Sequence, residues 1–126
     1  MSKKYFTVEE ANRLLPEIIP ILRRLMRLHR SISTIAPREV KRLARSRAQN
    51  GGSAQGNRYL HDYRQFRSWL LRLQEMGVLL KDVEQGLIDF PHLREGREVY
   101  LCWQLGEKGI TYWHEIHAGY AGRQPL

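Results

Sequence analysis

Apolar residues recur at Leu15, Ile18, Leu22, Leu25 and Ile32, with His29 completing the three-four alternation. That spacing predicts a helix with a coiled-coil-like seam. Just ahead of it, Thr7-Val8-Glu9-Glu10 has the capping-box pattern, in which Thr7 accepts from the Glu10 N–H and Glu10 reaches back. Pro16 and Pro20 fall in the early turns, where each deletes a backbone hydrogen bond and threatens a kink or a break. Pro37 is expected to end or bend the helix, with Arg38 to Gln49 as a further segment. Residues 50–57, rich in turn formers, read as a flexible linker. A second helix follows with Tyr59, Tyr63, Phe66, Leu70 and Leu73 on its seam and Gly77 as its C-cap. Two long helices joined this way are expected to fold back as an antiparallel hairpin.

After Gly77 the apolar period shortens to that of strands. Val78 to Val83 and Leu87 to Phe90 predict a hairpin about Glu84-Gln85-Gly86, closed by Pro91, with His92 to Gly96 as a loop. Arg97 to Leu105 and Ile110 to Ile116 predict two more strands about a tight turn at Gly106-Glu107-Lys108-Gly109. The last stretch, Gly119 to Leu126, reads as an irregular tail. The fold class is therefore α+β. An N-terminal antiparallel helical hairpin packs on a C-terminal antiparallel β-meander of three to four strands. One domain is expected over residues 1–126, with the hairpin in 7–76 and the meander and tail in 77–126.

The length of 126 residues suffices for a buried core without staples, and a 42% hydrophobic content argues against global disorder. A single Cys excludes an internal disulfide and fits a reducing compartment. The apolar runs are too short for a membrane span, and Glu9-Glu10 stands where a secretion signal needs an apolar stretch. A cytoplasmic protein with no membrane partner is the expectation. Charge changes the picture more. The net charge is +8, and through Leu60 there are 13 Lys and Arg against 4 Asp and Glu, leaving a near-balanced second half. Arg23, Arg27 and Arg30 share one helical stripe, extended by Lys41 and Arg45 if the helix passes Pro37, and Glu39 is the only acid between Ile18 and Tyr59. Such a stripe suits the phosphates of a nucleic acid or another polyanion, and equally a solvated helix face.

Candidate chemistry gathers near the strand ends. Asp89, Arg97, Glu107, His114 and Arg123 bring acid, base and cation to one region, enough for general acid–base or metal-assisted chemistry. The plainer alternative is a set of ion pairs in which Arg97 and Arg123 fasten the tail to Asp89 and Glu107. A four-residue turn at 106–109 sets Leu105 against Ile110, Trp103 against Tyr112, Leu101 against His114 and Val99 against Ile116. Cys102 and His114 then lie on opposite faces, which disfavours a Cys/His metal site unless a bulge shifts the register. In that register His114 is a core histidine on an apolar face and Cys102 a small buried residue. Trp103, Trp113, Tyr112 and Tyr100 form packing pairs in preference to a stacking platform. No metal and no cofactor are expected.

The run Gly77-Val78-Leu79-Leu80-Lys81-Asp82, then Gly86-Leu87-Ile88-Asp89-Phe90-Pro91, Gly96-Arg97, Leu101-Cys102-Trp103, Gly106-Glu107, Tyr112-Trp113-His114 and the closing Gly122-Arg123-Gln124-Pro125-Leu126 resembles the bacterial family called domain of unknown function 2203. The opening Tyr5-Phe6-Thr7-Val8-Glu9-Glu10-Ala11-Asn12 and Leu14-Leu15-Pro16 are similar to the same family. The resemblance implies a small bacterial cytoplasmic protein, helical first and stranded later, with no established activity. Its motif positions with functional potential fall on Asp89, Arg97, Cys102, Trp103, Glu107, Trp113, His114 and Arg123. The Arg-rich helices depart from the mixed charge of the family pattern, so polyanion binding would belong to this member. The leading expectation is a non-enzymatic interaction module whose basic helical face takes RNA or another polyanion, with a homodimer through the helices as a further option. The alternative is a metal or small-molecule site on the C-terminal sheet, serving a binding protein or an enzyme.

Overall fold

Thr7 starts the first helix as the sequence requires. Its hydroxyl accepts from the Glu10 N–H at 3.1 Å, and Glu10 accepts from the Thr7 N–H at 2.9 Å. From there the computed structural model, which describes residues 4–34 and 54–126, carries α1 over Val8–Ser33 straight through both Pro16 and Pro20. Pro16 and Pro20 each cost one helical hydrogen bond, but burial of Ala11, Leu15, Ile18, Ile21, Leu22 and Leu25 holds the chain helical regardless. The second helix, α2, spans Ala54–Glu75, so residues 54–57 of the expected linker are its first turn. Asn50 to Ser53, the segment Arg38 to Gln49 and Pro37 lie outside the described residues, as do Lys41 and Arg45.

The helices pair antiparallel: Arg24 stacks over Trp69 at 4.7 Å, His29 meets Phe66, and Ser31 donates to Asp62 at 2.5 Å. α2 ends in a Schellman-type cap. Gly77 has φ +87°, its N–H bonds the Gln74 carbonyl at 2.9 Å, and the Val78 N–H bonds the Leu73 carbonyl at 3.2 Å. Leu73 and Val78, both buried, supply the hydrophobic contact that accompanies this cap.

Five strands form one antiparallel sheet in chain order: β1 Leu79–Asp82, β2 Leu87–Arg94, β3 Arg97–Gln104, β4 Tyr112–His114 and β5 Gln124–Pro125. This exceeds the expected three to four because the tail is not wholly irregular: after a 3-10 turn at Tyr120–Gly122, it pairs with Tyr112 and Trp113. β2 also runs on through Pro91 into the expected loop at His92 to Gly96. The Pro91 carbonyl accepts from Phe6 at 2.8 Å, on the side away from β3. The missing Pro91 N–H points to that same side, so it costs the β2–β3 ladder nothing.

One sheet face, with Ile88, Phe90, Val99, Leu101, Trp103 and Trp113, packs on α1 and α2 to make the core. The opposite face carries a row running Leu79, Asp89, Cys102, Tyr112 and Pro125 across all five strands. Beside it runs Pro91, Tyr100 and His114.

The expected β3–β4 register is corrected here. Tyr100 faces His114, Leu101 faces Trp113 and Cys102 faces Tyr112, one residue off the sequence-based pairing. The connection is not a four-residue turn. The Glu107 carboxylate accepts from the Gln104 N–H at 2.7 Å, its carbonyl accepts from the Trp103 indole at 3.2 Å, and Asn12 of α1 accepts from the Ile110 N–H at 2.9 Å. These contacts stretch the connection to an odd number of residues. A slip of one exchanges the faces of β4, bringing His114 to the side of Cys102 and Trp113 to the core.

Candidate functional site

The site is built by that slip. Asp89 on β2, Cys102 on β3 and His114 on β4 project from the same sheet face, and their donor atoms all lie within 4.8 Å of one another. They are 1%, 1% and 2% exposed, on a face that does not pack on the helices. Tyr100 sets its ring edge against His114 at 5.6 Å, and Lys81 lies over that ring with its amine 4.0 Å from Asp89 Oδ2.

The protons of this cluster tell most about it. His114 Nδ1 is 2.7 Å from the carbonyl oxygen of Glu115, which can only accept, so Nδ1 carries a hydrogen. In the neutral ring Nε2 is then a bare acceptor. It faces Asp89 Oδ2, another acceptor, at 3.0 Å. Two lone pairs at that distance require a proton or a cation between them. Asp89 Oδ1 is buried with no hydrogen-bond partner, an omission that ordinarily costs about 1–3 kcal/mol. The Cys102 thiol lies near enough to affect the carboxylate's ionisation but at no geometry that satisfies Oδ1. Burial pushes the Asp89 carboxyl above its usual range, against the opposing pull of His114, Cys102 and Lys81. Burial, then the neighbouring Asp89 charge, pushes the Cys102 thiol up to about 12. Such a thiol is inert as a nucleophile at neutral pH.

The five residues expected to form one polar site separate into three groups. Asp89 and His114 join Cys102 in the buried cluster. Arg123 binds the Glu107 carboxylate at 2.7 and 2.9 Å, lies between the rings of Tyr112 and Tyr120, and reaches the Cys102 carbonyl at 3.4 Å. That pair fastens the tail beside the cluster. Arg97 stands apart: five residues back along β3, about 16 Å from Cys102, it pairs with exposed Glu115 instead of Asp89. A four-residue turn sets Cys102 across the sheet from His114, so the sequence-based register leaves it outside the site. Lys81 was missed altogether. The one local signal was Asp89 itself, an acid set between Ile88 and Phe90 in an otherwise apolar run. The four aromatics divide by face, Trp103 and Trp113 into the core, Tyr100 and Tyr112 beside the cluster.

The helical arginines form a second region. Arg23, Arg24, Arg27 and Arg30 are exposed on α1, and none takes part in an ion pair among the described residues. Also among the described residues, no helix is long and apolar enough to cross a membrane.

A family model described as an uncharacterised conserved protein matches residues 4–126. No curated protein and no solved structure matches the chain.

Proposed function

This chain belongs to the uncharacterised conserved family called domain of unknown function 2203, and on that premise we propose that it is a metal-binding protein whose site is Asp89, Cys102 and His114. The carrying observation is the pair of facing acceptors, His114 Nε2 and Asp89 Oδ2 at 3.0 Å, with the His114 ring fixed by its Nδ1–H on a backbone carbonyl. A metal-ligating histidine is ordinarily held in this way, its far nitrogen donating to a carbonyl so that the near one presents its lone pair. The orphaned Asp89 Oδ1 supplies a further acceptor in the same place.

The donor set selects the metal class. A thiolate beside an imidazole disfavours magnesium and calcium, which prefer oxygen, and suits zinc and its neighbours. Zinc bonds of about 2.0–2.3 Å imply ligand-to-ligand edges of about 3.3–3.8 Å in a tetrahedron. The Asp89–His114 edge is already close to that, and the widest spacing of 4.8 Å closes with a shift of about 1 Å in one side chain. Three protein ligands leave a fourth position for water or another ligand, the arrangement of an open site and not of a sealed structural one.

The test is metal loading of the purified chain. Zinc is expected to raise the melting temperature, by the equivalent of about 2.7 kcal/mol at a hundredfold excess over its dissociation constant, while magnesium and calcium do not. Cobalt is expected to give a thiolate charge-transfer band in the near ultraviolet, lost in Cys102→Ser. His114→Ala and Asp89→Asn are expected to weaken zinc at least tenfold. A chain that purifies without metal, shows no thermal response to zinc and gives no cobalt–thiolate band would end this reading.

A further inference from the structure

We infer that the arginine ridge of α1, with Arg58 from α2, is a binding surface for the phosphate backbone of a nucleic acid. It is independent of the metal cluster, which lies on the other side of the sheet. Arg24 and Arg27 line two depressions at once. One, of about 480 Å³ between the helices, adds Arg58, His61 and Gln65. The other, of about 530 Å³ on the flank of α1, adds Arg23 and Arg30. Together they hold five arginines. The one acid is Asp62, whose carboxylate is taken up by Ser31 at 2.5 Å.

Three physical features point to a phosphodiester chain. The first is uncompensated charge: Arg23 and Arg27, and Arg27 and Arg30, are spaced four and three apart, and like charges at those spacings repel by a few tenths of a kcal/mol per pair. No acid among the described residues forms an ion pair with any of the three, and Asp62 in the neighbouring depression is held by Ser31 instead. The second is length. Arg23 to Arg30 covers about 10 Å of helix axis at about 1.5 Å per residue. A duplex strand offers one phosphate per about 3.4 Å of its own axis, so this ridge meets about three in succession. The third is preorganisation: the Arg24 guanidinium stands over the Trp69 ring, 4.7 Å from its centroid, a contact that restrains the side chain and takes up none of its N–H donors, which suit paired bonds to phosphate oxygens. Apart from His61 and Gln65, both at the α2 side of one depression, no amide or aromatic side chain lines either, so contacts are chiefly to the backbone and binding is largely independent of sequence.

The experiment is a salt titration of binding to a short labelled duplex, with the full chain and two matched variants. Arg23→Gln/Arg27→Gln removes two charges from the ridge. Arg64→Gln/Arg67→Gln removes two exposed charges from the far side of α2. All four are exposed side chains, so the melting temperatures serve to confirm that both variants fold. The ridge variant is expected to bind about tenfold more weakly at about 50 mM salt and to lower the slope of log K against log salt by about 1.8. The control variant is expected to keep the wild-type slope. Absence of binding at low salt would overturn the inference. So would equal losses in both variants, which would mean diffuse attraction, or tighter binding of polyglutamate or anionic vesicles than of the duplex.

Discussion

Cys102 holds its proton up to about 12 because burial and then the Asp89 charge oppose the thiolate. In the unfolded chain a thiol ionises near its usual value of about 8.5. Above that value the unfolded state therefore binds fewer protons than the folded one, and stability falls as pH rises. The metal-free protein is expected to lose about 1.4 kcal/mol per pH unit between about pH 9 and 11, relative to a Cys102→Ser chain that has no thiol to ionise. Denaturant unfolding of the two across that range would show it, and a constant difference would contradict it. Asp89 has the same sign at lower pH: its raised value means that stability present below the ordinary carboxyl range is lost as pH climbs through the folded value. Thus at neutral pH Asp89 weighs against folding in the metal-free chain while Cys102 does not yet act, and a bound cation would reverse the Asp89 effect. Residue identity alone marked Asp89 as unusual, an acid inside an apolar strand. It said nothing of which His or Cys would meet it, because that depends on strands that are 13 and 25 residues further along the chain.

The helices and the tail depend on different kinds of contact, and substitutions separate them. Thr7→Ala removes the capping bond to Glu10 and is expected to cost about 1 kcal/mol, which at this chain length lowers the melting temperature by about 4 °C. Gly77→Ala is expected to cost about as much, since its φ of +87° disfavours a side chain and the new Cβ would meet the Phe6 ring at 3.3 Å. In the tail, Glu107→Gln leaves the mostly buried Arg123 guanidinium without its counter-charge, an expected loss of about 1–2 kcal/mol. Thermal unfolding of the three variants checks all of these, and a Glu107→Gln chain as stable as the parent would show that the tail is held by β5 pairing alone. The elements themselves were legible. The capping box, the buried apolar face of α1 from Leu15 to Leu25, the Gly77 cap and the change to strands were all local patterns, and all are present. Three element-level readings failed for tertiary reasons: β2 passes through Pro91 because its carbonyl bonds Phe6, the tail gains β5 by pairing with β4, and the 50–57 linker is half helix because α2 begins at Ala54.

For the whole molecule, charge and site lie on separate layers: arginines on the helical layer, the buried donor cluster on the outer face of the sheet. Metal uptake and polyanion binding are therefore expected to be uncoupled, so zinc should leave duplex affinity unchanged. Metal uptake is coupled to protons instead. A ligating thiol and carboxylate must be deprotonated, so zinc binding at pH 7 is expected to release at least one proton, and its affinity to rise about tenfold per pH unit for each proton released. Calorimetry in two buffers of different ionisation enthalpy measures that release, and zero release would exclude Cys102 as a ligand. The sequence by itself determined the α+β class, the order of the elements, the basic first half and the family resemblance. These rest on local periodicity and on composition, which need no partner segment to be read. Only the tertiary structure decided the site. Whether His114 shares a face with Cys102 turns on whether the 105–111 connection is odd or even. Asn12 of α1, together with Glu107 within that connection, settles it as odd. A strand's side chains alternate with a period of two, so one residue in a loop moves a histidine from one side of the sheet to the other.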